Sequence, residues 1–348
     1  DLAEAGEEDD HRRAELPDRE DDEGVDRRVG VRDPTRSLHA EKPQQHLVDR
    51  AIALEQLRLA KQTHLKLGKK LRLRCFFLEK RRSAFLQLKA FAEQESQRDE
   101  SQIFVKNATL EQSISDIQSF AAQGGKAFTF LFIDPTGWTG FSMEKITPLL
   151  RLKHSEALIN LMTADIRRFI ESTDEATQES LKQLFGSAEY KSRVQGLRGL
   201  DKEDTVAEVY REILSRTGDY NYTGEALVLD KGKDTTRYRL VYATRNAKGV
   251  DVFKKSEKKA MQEMREVRAE ADKRRSEQKT GQKELFGPQV LHESQFSDSL
   301  RMRYFNKSQK MVKAELQAIQ RITYDKAWVI GLRQPLVWES DLKEWIKN

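Results

Sequence analysis

The sequence predicts an α/β fold, a doubly wound sheet of the Rossmann-like kind, and three observations predict it. Short, nearly continuous apolar runs recur between stretches of helical spacing, the pattern of a parallel sheet covered on both faces. From about residue 51 these runs follow a βαβα order. One of them, Phe128–Gly140 (FTFLFIDPTGWTG), ends in an acid, a proline and glycines, as expected of a buried strand that breaks into a loop at the ligand-binding edge of such a sheet.

Residues 1–48 stand apart from this pattern. They are crowded with Asp, Glu and Arg, carry no lysine before Lys42, and contain no Phe, Tyr or Trp; the first aromatic is Phe76. Such a stretch buries too little apolar surface to offset its ordering entropy. Two readings stand: a disordered charged tail, or a non-native start such as an out-of-frame segment. In either case the fold is expected to begin near Asp49.

The elements then follow in order. Ala51–Leu67 is expected to be a helix, Leu71–Leu78 a strand, Arg81–Gln94 a helix with Phe85, Leu88 and Phe91 on one stripe, and Ile103–Val105 a short strand. Leu110–Phe120 places Leu110, Ile114 and Ile117 on one helical face, and Ala127–Ile133 is the strand of the opening observation. A helix near Met143–Leu152, a strand at Ala157–Met162 and a helical segment at Asp165–Phe185 come next. After a polar connection, Thr205–Arg216 reads as an amphipathic helix with Val206, Val209, Tyr210, Ile213 and Leu214 inward. Arg237–Thr244 (RYRLVYAT) alternates as a late strand of the same sheet. This gives a Rossmann-like domain over residues 49–252, a charged helix or linker over 253–284, and a helical, winged-helix-like region over 285–348. The last region comprises a helix at Gln309–Ile322, a short extended AWVIGL segment and a helical start at Ser340–Lys347.

Composition narrows the function classes. A length of 348 residues and 37% hydrophobic content permit a sizeable core, and no run approaches the roughly 20 apolar residues that span a bilayer. No secretory signal is evident, and Cys75 is the only cysteine, so a reducing cytoplasm is the expected setting. The six histidines are scattered, with no HExxH and no Gly-x-Ser-x-Gly elbow, which argues against a metal centre or a His-based triad. A net charge of +5 is too small for this length to indicate a nucleic-acid binder by itself.

In an open α/β sheet ligands bind beyond the carboxyl ends of the strands, so the residues just after each strand carry the functional expectations. Glu79 follows LRLRCFFL and suits the two hydroxyls of a ribose; a salt bridge to Lys80 or Arg81 is the plainer alternative. Asn107 follows the next strand and can read an adenine edge or cap the helix beyond it. Asp134 and Pro135 leave the following strand, with Gly137 permitting positive φ. Asp134 can accept a proton from a substrate amino or hydroxyl group, and Trp138 can stack on a planar group or pack as core. Asn160 can bond substrate or backbone, and Arg167 and Arg168 can meet phosphate or coat a helix. A Rossmann-type cofactor site also calls for a first strand and a glycine-rich turn, and these residues contain no such loop.

Six stretches in order resemble the three-Cys-motif partner family (TcmP), a methyltransferase-like group of bacterial proteins. They are AIALEQLR (51–58), LRCFFLEK (73–80), FLFIDPTGWTG (130–140), ALINLMTADIRRFI (157–170), RYRLVYATRNAKGVDVFK (237–254) and PLVWESDLKEWI (335–346). The resemblance implies a Rossmann-like methyltransferase domain, a C-terminal winged-helix-like region, and a radical-SAM-like protein carrying the three-Cys motif as partner. The first functional expectation is an S-adenosylmethionine-dependent methyltransferase, in which Glu79 would hold the ribose, Asn107 would lie near the adenine, and Asp134, Pro135 and Trp138 would face the methyl acceptor. The resemblance also implies a strand and a FAGxG-like glycine loop upstream of Ala51 and a winged helix continuing past Asn348, so the chain is expected to be a truncated or cofactor-impaired copy. The competing expectation is a non-catalytic partner or nucleic-acid-associated module, with Arg167, Arg168 and Lys254–Lys259 meeting phosphates.

Overall fold

A computed structural model describes residues 43–98, 101–123, 127–281 and 291–347. The charged segment expected as a tail therefore lies outside the described residues up to position 42, and the first helix, α1 (Pro43–Lys66), already runs through the expected boundary at Asp49. Then come β1 (Arg74–Leu78), α2 (Arg82–Ser96), β2 (Gln102–Lys106), a single 3-10 turn (Glu111–Ser113), α3 (Ile114–Ala122) and β3 (Thr129–Ile133). Next are α4 (Met143–Leu150), β4 (Ser155–Leu161), α5 (Thr163–Phe169), α6 (Glu175–Phe185), α7 (Tyr190–Val194), α8 (Gly199–Gly218), β5 (Tyr222–Leu229) and β6 (Thr236–Thr244). Four helices complete the chain: α9 (Ala247–Thr280), α10 (Leu291–Ile319), α11 (Tyr324–Gly331) and α12 (Glu339–Lys347).

The fold class is α/β, and among the described residues the strands pair as two sheets, one parallel and one mixed. β1 and β2 pair in parallel, with Arg74 opposite Gln102 and Leu78 opposite Lys106. The second sheet has the order β3-β4-β6-β5: β3 and β4 are parallel, while β6 lies antiparallel to both β4 and β5. The antiparallel edge arises because β5 and β6 are joined by a short turn, where Gly232 N–H donates to Asp230 Oδ1, and a tight hairpin can only pair antiparallel.

The core of the larger sheet follows from strand parity. Leu131 and Ile133 of β3 face inward with Ala157, Ile159 and Leu161 of β4, and α4, α5, α6 and α8 close over them with Ile146, Leu149, Ile166, Leu181, Val206, Tyr210 and Leu214. The expected helix 165–185 is two helices, because Asp174 leaves the helical region and its carboxylate accepts from Thr177 N–H at 2.8 Å, starting α6 afresh.

The C-terminal third is not a separate charged linker and module. Helix α9 starts before the expected boundary at residue 252 and lays Phe253 on Tyr242 of β6, with ring centroids 4.7 Å apart. Leu227 and Leu229 of β5 share a second core with Val250, Met261, Leu300, Tyr304, Leu332 and Val337. AWVIGL, expected to be extended, falls mostly within the helix α11, whose start is capped by Thr323 accepting from Lys326 N–H. Residues 282–290, which include the expected boundary at 284, lie outside the described residues. Within 291–347 the elements are helices, and no wing hairpin occurs among the described residues. The PLVW turn is pinned: Leu336 adopts φ +58°, an uncommon backbone region for leucine, while its N–H donates to Glu257 at 2.9 Å and its carbonyl accepts from Arg301.

Candidate functional site

One side chain of α1 reaches the carboxyl end of β1. Arg50 donates to Leu78 O at 3.2 Å and lies 3.6 Å from the Glu79 carboxylate. Burial holds its guanidinium below the ordinary arginine value, against the pull of Glu79 first and of Asp134 and Asp49 after it. Both strand-end acids expected from the sequence thus lie within electrostatic reach of the same cation.

Glu79 is buried at this meeting point. Its Oε1 accepts from Arg81 N–H at 3.0 Å and faces Arg81 Nε at 3.6 Å, while Oε2 faces Arg50. Asn107, at the end of β2, turns its amide onto the neighbouring chain: Nδ2 donates to Glu79 O at 2.7 Å and to Lys80 O at 3.1 Å. These contacts tie the ends of β1 and β2 together.

On the other side, Asp134 is exposed at the end of β3 and accepts from Asn160 Nδ2 at 2.6 Å. Asn160 is itself buried, and its Oδ1 has no hydrogen-bond partner among the described residues. Pro135 follows Asp134 half-buried. The positive φ of this loop falls on Gly140, at +85°, rather than on Gly137. Trp138 does not face outward. Its indole is 3% exposed, donates to Ser180 Oγ at 3.0 Å and packs 5.3 Å from the Phe169 ring. The closure of α5 and α6 over the loop draws the ring into the core, so the stacking platform expected at Trp138 is corrected to a packing role.

The cations expected to meet phosphate have protein partners. Arg167 pairs with Glu203 at 2.9 Å; Arg168 lies 3.9 Å from Asp165 and over the Phe169 ring. Lys254 is buried against Glu257 and donates to Gln334 O at 2.9 Å. Lys255 pairs with Asp251, and Lys259 with Glu263. These contacts give the basic stretch a structural account.

A polar centre absent from the sequence reading lies under the larger sheet. Arg239 of β6 is fully buried and donates to Asp204 at 2.6 Å, to Glu225 at 3.3 Å and to the Tyr304 hydroxyl at 3.2 Å. Tyr304 donates to Asp204 at 2.8 Å, and Arg303 to the same carboxylate at 2.7 Å. Burial alone would raise the Asp204 carboxyl, but Arg239, Lys307 and Arg303 hold it below the usual aspartate range. Its neighbour Glu203 is raised, because burial outweighs Arg239 and Arg167. Strand parity carried a signal for this centre: Arg239 shares its face with Val241 and Ala243, so it had to point inward and need acids there. Arg50 carried none, since nothing in a helix of mixed charge marks one arginine as reaching two strand ends.

No group of three or more His, Cys, Asp or Glu side chains suited to a metal ion occurs among the described residues, and no described helix is long and apolar enough to cross a membrane. Two shallow cavities, of about 330 Å³ along α1 and about 230 Å³ along α9, are lined by charged helix surface and lie away from the strand ends. No known protein family, curated protein or solved structure matches the chain.

Proposed function

We propose that the chain is a Rossmann-like, methyltransferase-type domain of the three-Cys-motif partner kind whose cofactor side is closed, so that it acts as a binding scaffold rather than a catalyst as it stands. The reading is supported by the carboxyl-end arrangement: two acids, Glu79 and Asp134, each follow a strand of a parallel pair, at the end where α/β sheets bind ligands. The strand order β3-β4-β6-β5, with its reversed edge, is compatible with such a domain.

S-adenosylmethionine would need the Glu79 carboxylate for its ribose and the Asn107 amide for its adenine. The residues as arranged do not fit it. Both Glu79 oxygens face Arg50 or Arg81, and the Asn107 amide is spent on two backbone carbonyls. Asp134 is exposed and accepts from Asn160. The nucleic-acid alternative has less behind it, because Arg167, Arg168 and the lysines of 254–259 named above are paired with acids or buried.

Calorimetric titration of the full chain with S-adenosylmethionine tests the proposal. The expected affinity is weaker than about 1 mM, roughly −4 kcal/mol. A micromolar Kd that disappears in Glu79→Ala would overturn the closed-site reading. Arg50→Ala is expected to free Glu79 and strengthen binding at least tenfold, with the gain lost in Arg50→Ala/Glu79→Ala. Absence of any gain in a folded Arg50→Ala sinks the methyltransferase-type reading.

A further inference from the structure

The turn between α11 and α12 is held by charged side chains from three other helices. Arg211 of α8 donates to Arg333 O at 2.8 Å, and Lys254 of α9 donates to Gln334 O at 2.9 Å. Glu257, one turn further along α9, accepts the Leu336 N–H through Oε1 at 2.9 Å and pairs with Lys254 through Oε2. Arg301 of α10 donates to Leu336 O and, at 2.6 Å, to Asp341 of α12. Each of these backbone groups is met by an ionisable side chain rather than by another backbone group. Backbone bonding to the preceding chain is weak, with Gln334 N–H reaching Gly331 O at 3.4 Å.

Two features make this closed arrangement costly. Arg211, Lys254 and Glu257 are 4%, 3% and 3% exposed, and taking charges out of water offsets much of what their pairing returns. Leu336 holds φ +58°, a conformation that a non-glycine residue keeps only where its surroundings impose it. Burial of Leu336, Val337 and Leu342 opposes opening, so the closed form is the ground state. Among the described residues, the core of the larger sheet takes no side chain from residues 333–347 and does not depend on closure.

We propose that residues 333–347 are a latch, which opens as one unit from α8, α9 and α10 while the larger sheet stays folded, and that the ionisation of Glu257 sets how firmly it is shut. The charged groups around this carboxyl are Lys254 on its own helix, Glu225 of β5, and Arg211 and Arg301, which grip the same turn from α8 and α10. Burial pushes the Glu257 carboxyl above the usual glutamate range, against the pull of Lys254 and of the Leu336 N–H, and Glu225 adds to the push. In the open form the same carboxyl stands in water with an ordinary value of about 4.3. Closure is therefore fully supported below that value and loses support as pH rises through the closed-state value. Opening draws Leu336 and Val337 out of the second core, where they share burial with Leu227, Met261 and Leu300.

Native-state hydrogen exchange of the full chain tests the latch, followed from about pH 5 to pH 8 and corrected for the intrinsic pH dependence of amide exchange. Amides of residues 334–342 are expected to share one opening constant, roughly tenfold or more above that of residues 157–161. That constant is expected to rise with pH, by no more than about tenfold per unit for a single proton. Glu257→Gln keeps an acceptor for the Leu336 N–H but cannot ionise, so its opening constant should be flat over the same range while residues 157–161 exchange as in the parent chain. A second measurement needs no variant: the carboxyl carbon of Glu257, followed by NMR in the parent chain, should titrate above the exposed glutamates. The proposal is overturned if residues 334–342 open only together with residues 157–161, or if the parent's opening constant does not change with pH. A Glu257→Gln chain that keeps the parent's slope, or a Glu257 carboxyl that titrates in the ordinary range, overturns it equally.

Discussion

The two sheets are built from strands of similar chemistry but are covered very differently. In the larger one, Ala157, Ile159, Leu161, Val241 and Ala243 are fully buried, and helices from α4 to α8 seal the inner face. In the smaller one every residue of β1 is only half-buried, Phe104 of β2 is 60% exposed, and the described cover is α2 with a cluster of three rings, in which Phe76 and Phe104 stack and Phe120 meets Phe76 edge-on. The difference teaches where the stability of this chain resides. Hydrophobic stabilisation scales with apolar area removed from water, so the larger sheet and its C-terminal helices carry the fold, and the smaller sheet is held by α2 with single hydrogen bonds from Arg50 of α1 and to Phe120 of α3.

The largest expected effect comes from the buried charge centre that ties the larger sheet to α8 and α10. Arg239→Ala leaves Asp204 and Glu225 buried without their common partner and is expected to cost about 3–5 kcal/mol in urea unfolding. The same centre sets an acid dependence. The folded Asp204 carboxyl lies below its unfolded value, so its contribution is fully present above roughly pH 4 and is lost as pH falls through the folded value. Asp204→Asn should therefore be less stable at neutral pH and show a shallower loss on acidification. An Arg239→Ala midpoint equal to that of the parent chain would break the contrast between the two sheets at its strongest point.

A direct comparison of the sheets sharpens it further. Ile159→Ala, in the middle of the larger sheet, is expected to lose about 2–5 kcal/mol through the cavity it leaves. Phe104→Ser, on the smaller sheet, is expected to stay within about 0.5 kcal/mol, because much of that ring is already in water. Native-state hydrogen exchange should agree: residues 102–106 open by local fluctuation, and residues 157–161 only with global unfolding. Equal opening energies in the two strands would show that the smaller sheet is as firmly held as the larger.

How far the sequence displays this architecture depends on how each element earns its burial. Apolar runs such as Arg74–Leu78, Thr129–Ile133 and Ser155–Leu161 announce strands, and they lie within a few residues of where periodicity puts them. β5 escaped because Gly224 and Glu225 interrupt its run; Glu225 is tolerated there only because Arg239 and Arg211 reach it from other elements. AWVIGL reads equally well as strand or buried helix, and only the Thr323 cap decides it. The strand-end residues Glu79, Asn107 and Asp134 were legible as positions, since the carboxyl edge of a sheet is fixed by chain direction. Their partners were not, because Arg50 and the carbonyls of residues 79 and 80 become neighbours only when separate strands assemble.

The smallest effect bears on the residue whose placement changed most. Trp138→Phe keeps an aromatic ring in the core but removes the indole donor to Ser180 Oγ. Ser180 retains its own hydrogen bond to Thr177 O at 2.8 Å, so no buried hydroxyl is stranded. The cost should then be that of one net hydrogen bond and a modest loss of volume, about 1 kcal/mol in urea unfolding. An indole that faced an acceptor from the loop would contribute nothing to the unfolding midpoint. A Trp138→Phe midpoint identical to that of the parent chain would therefore place the ring outside the core and return it to the ligand side of the strand-end loop.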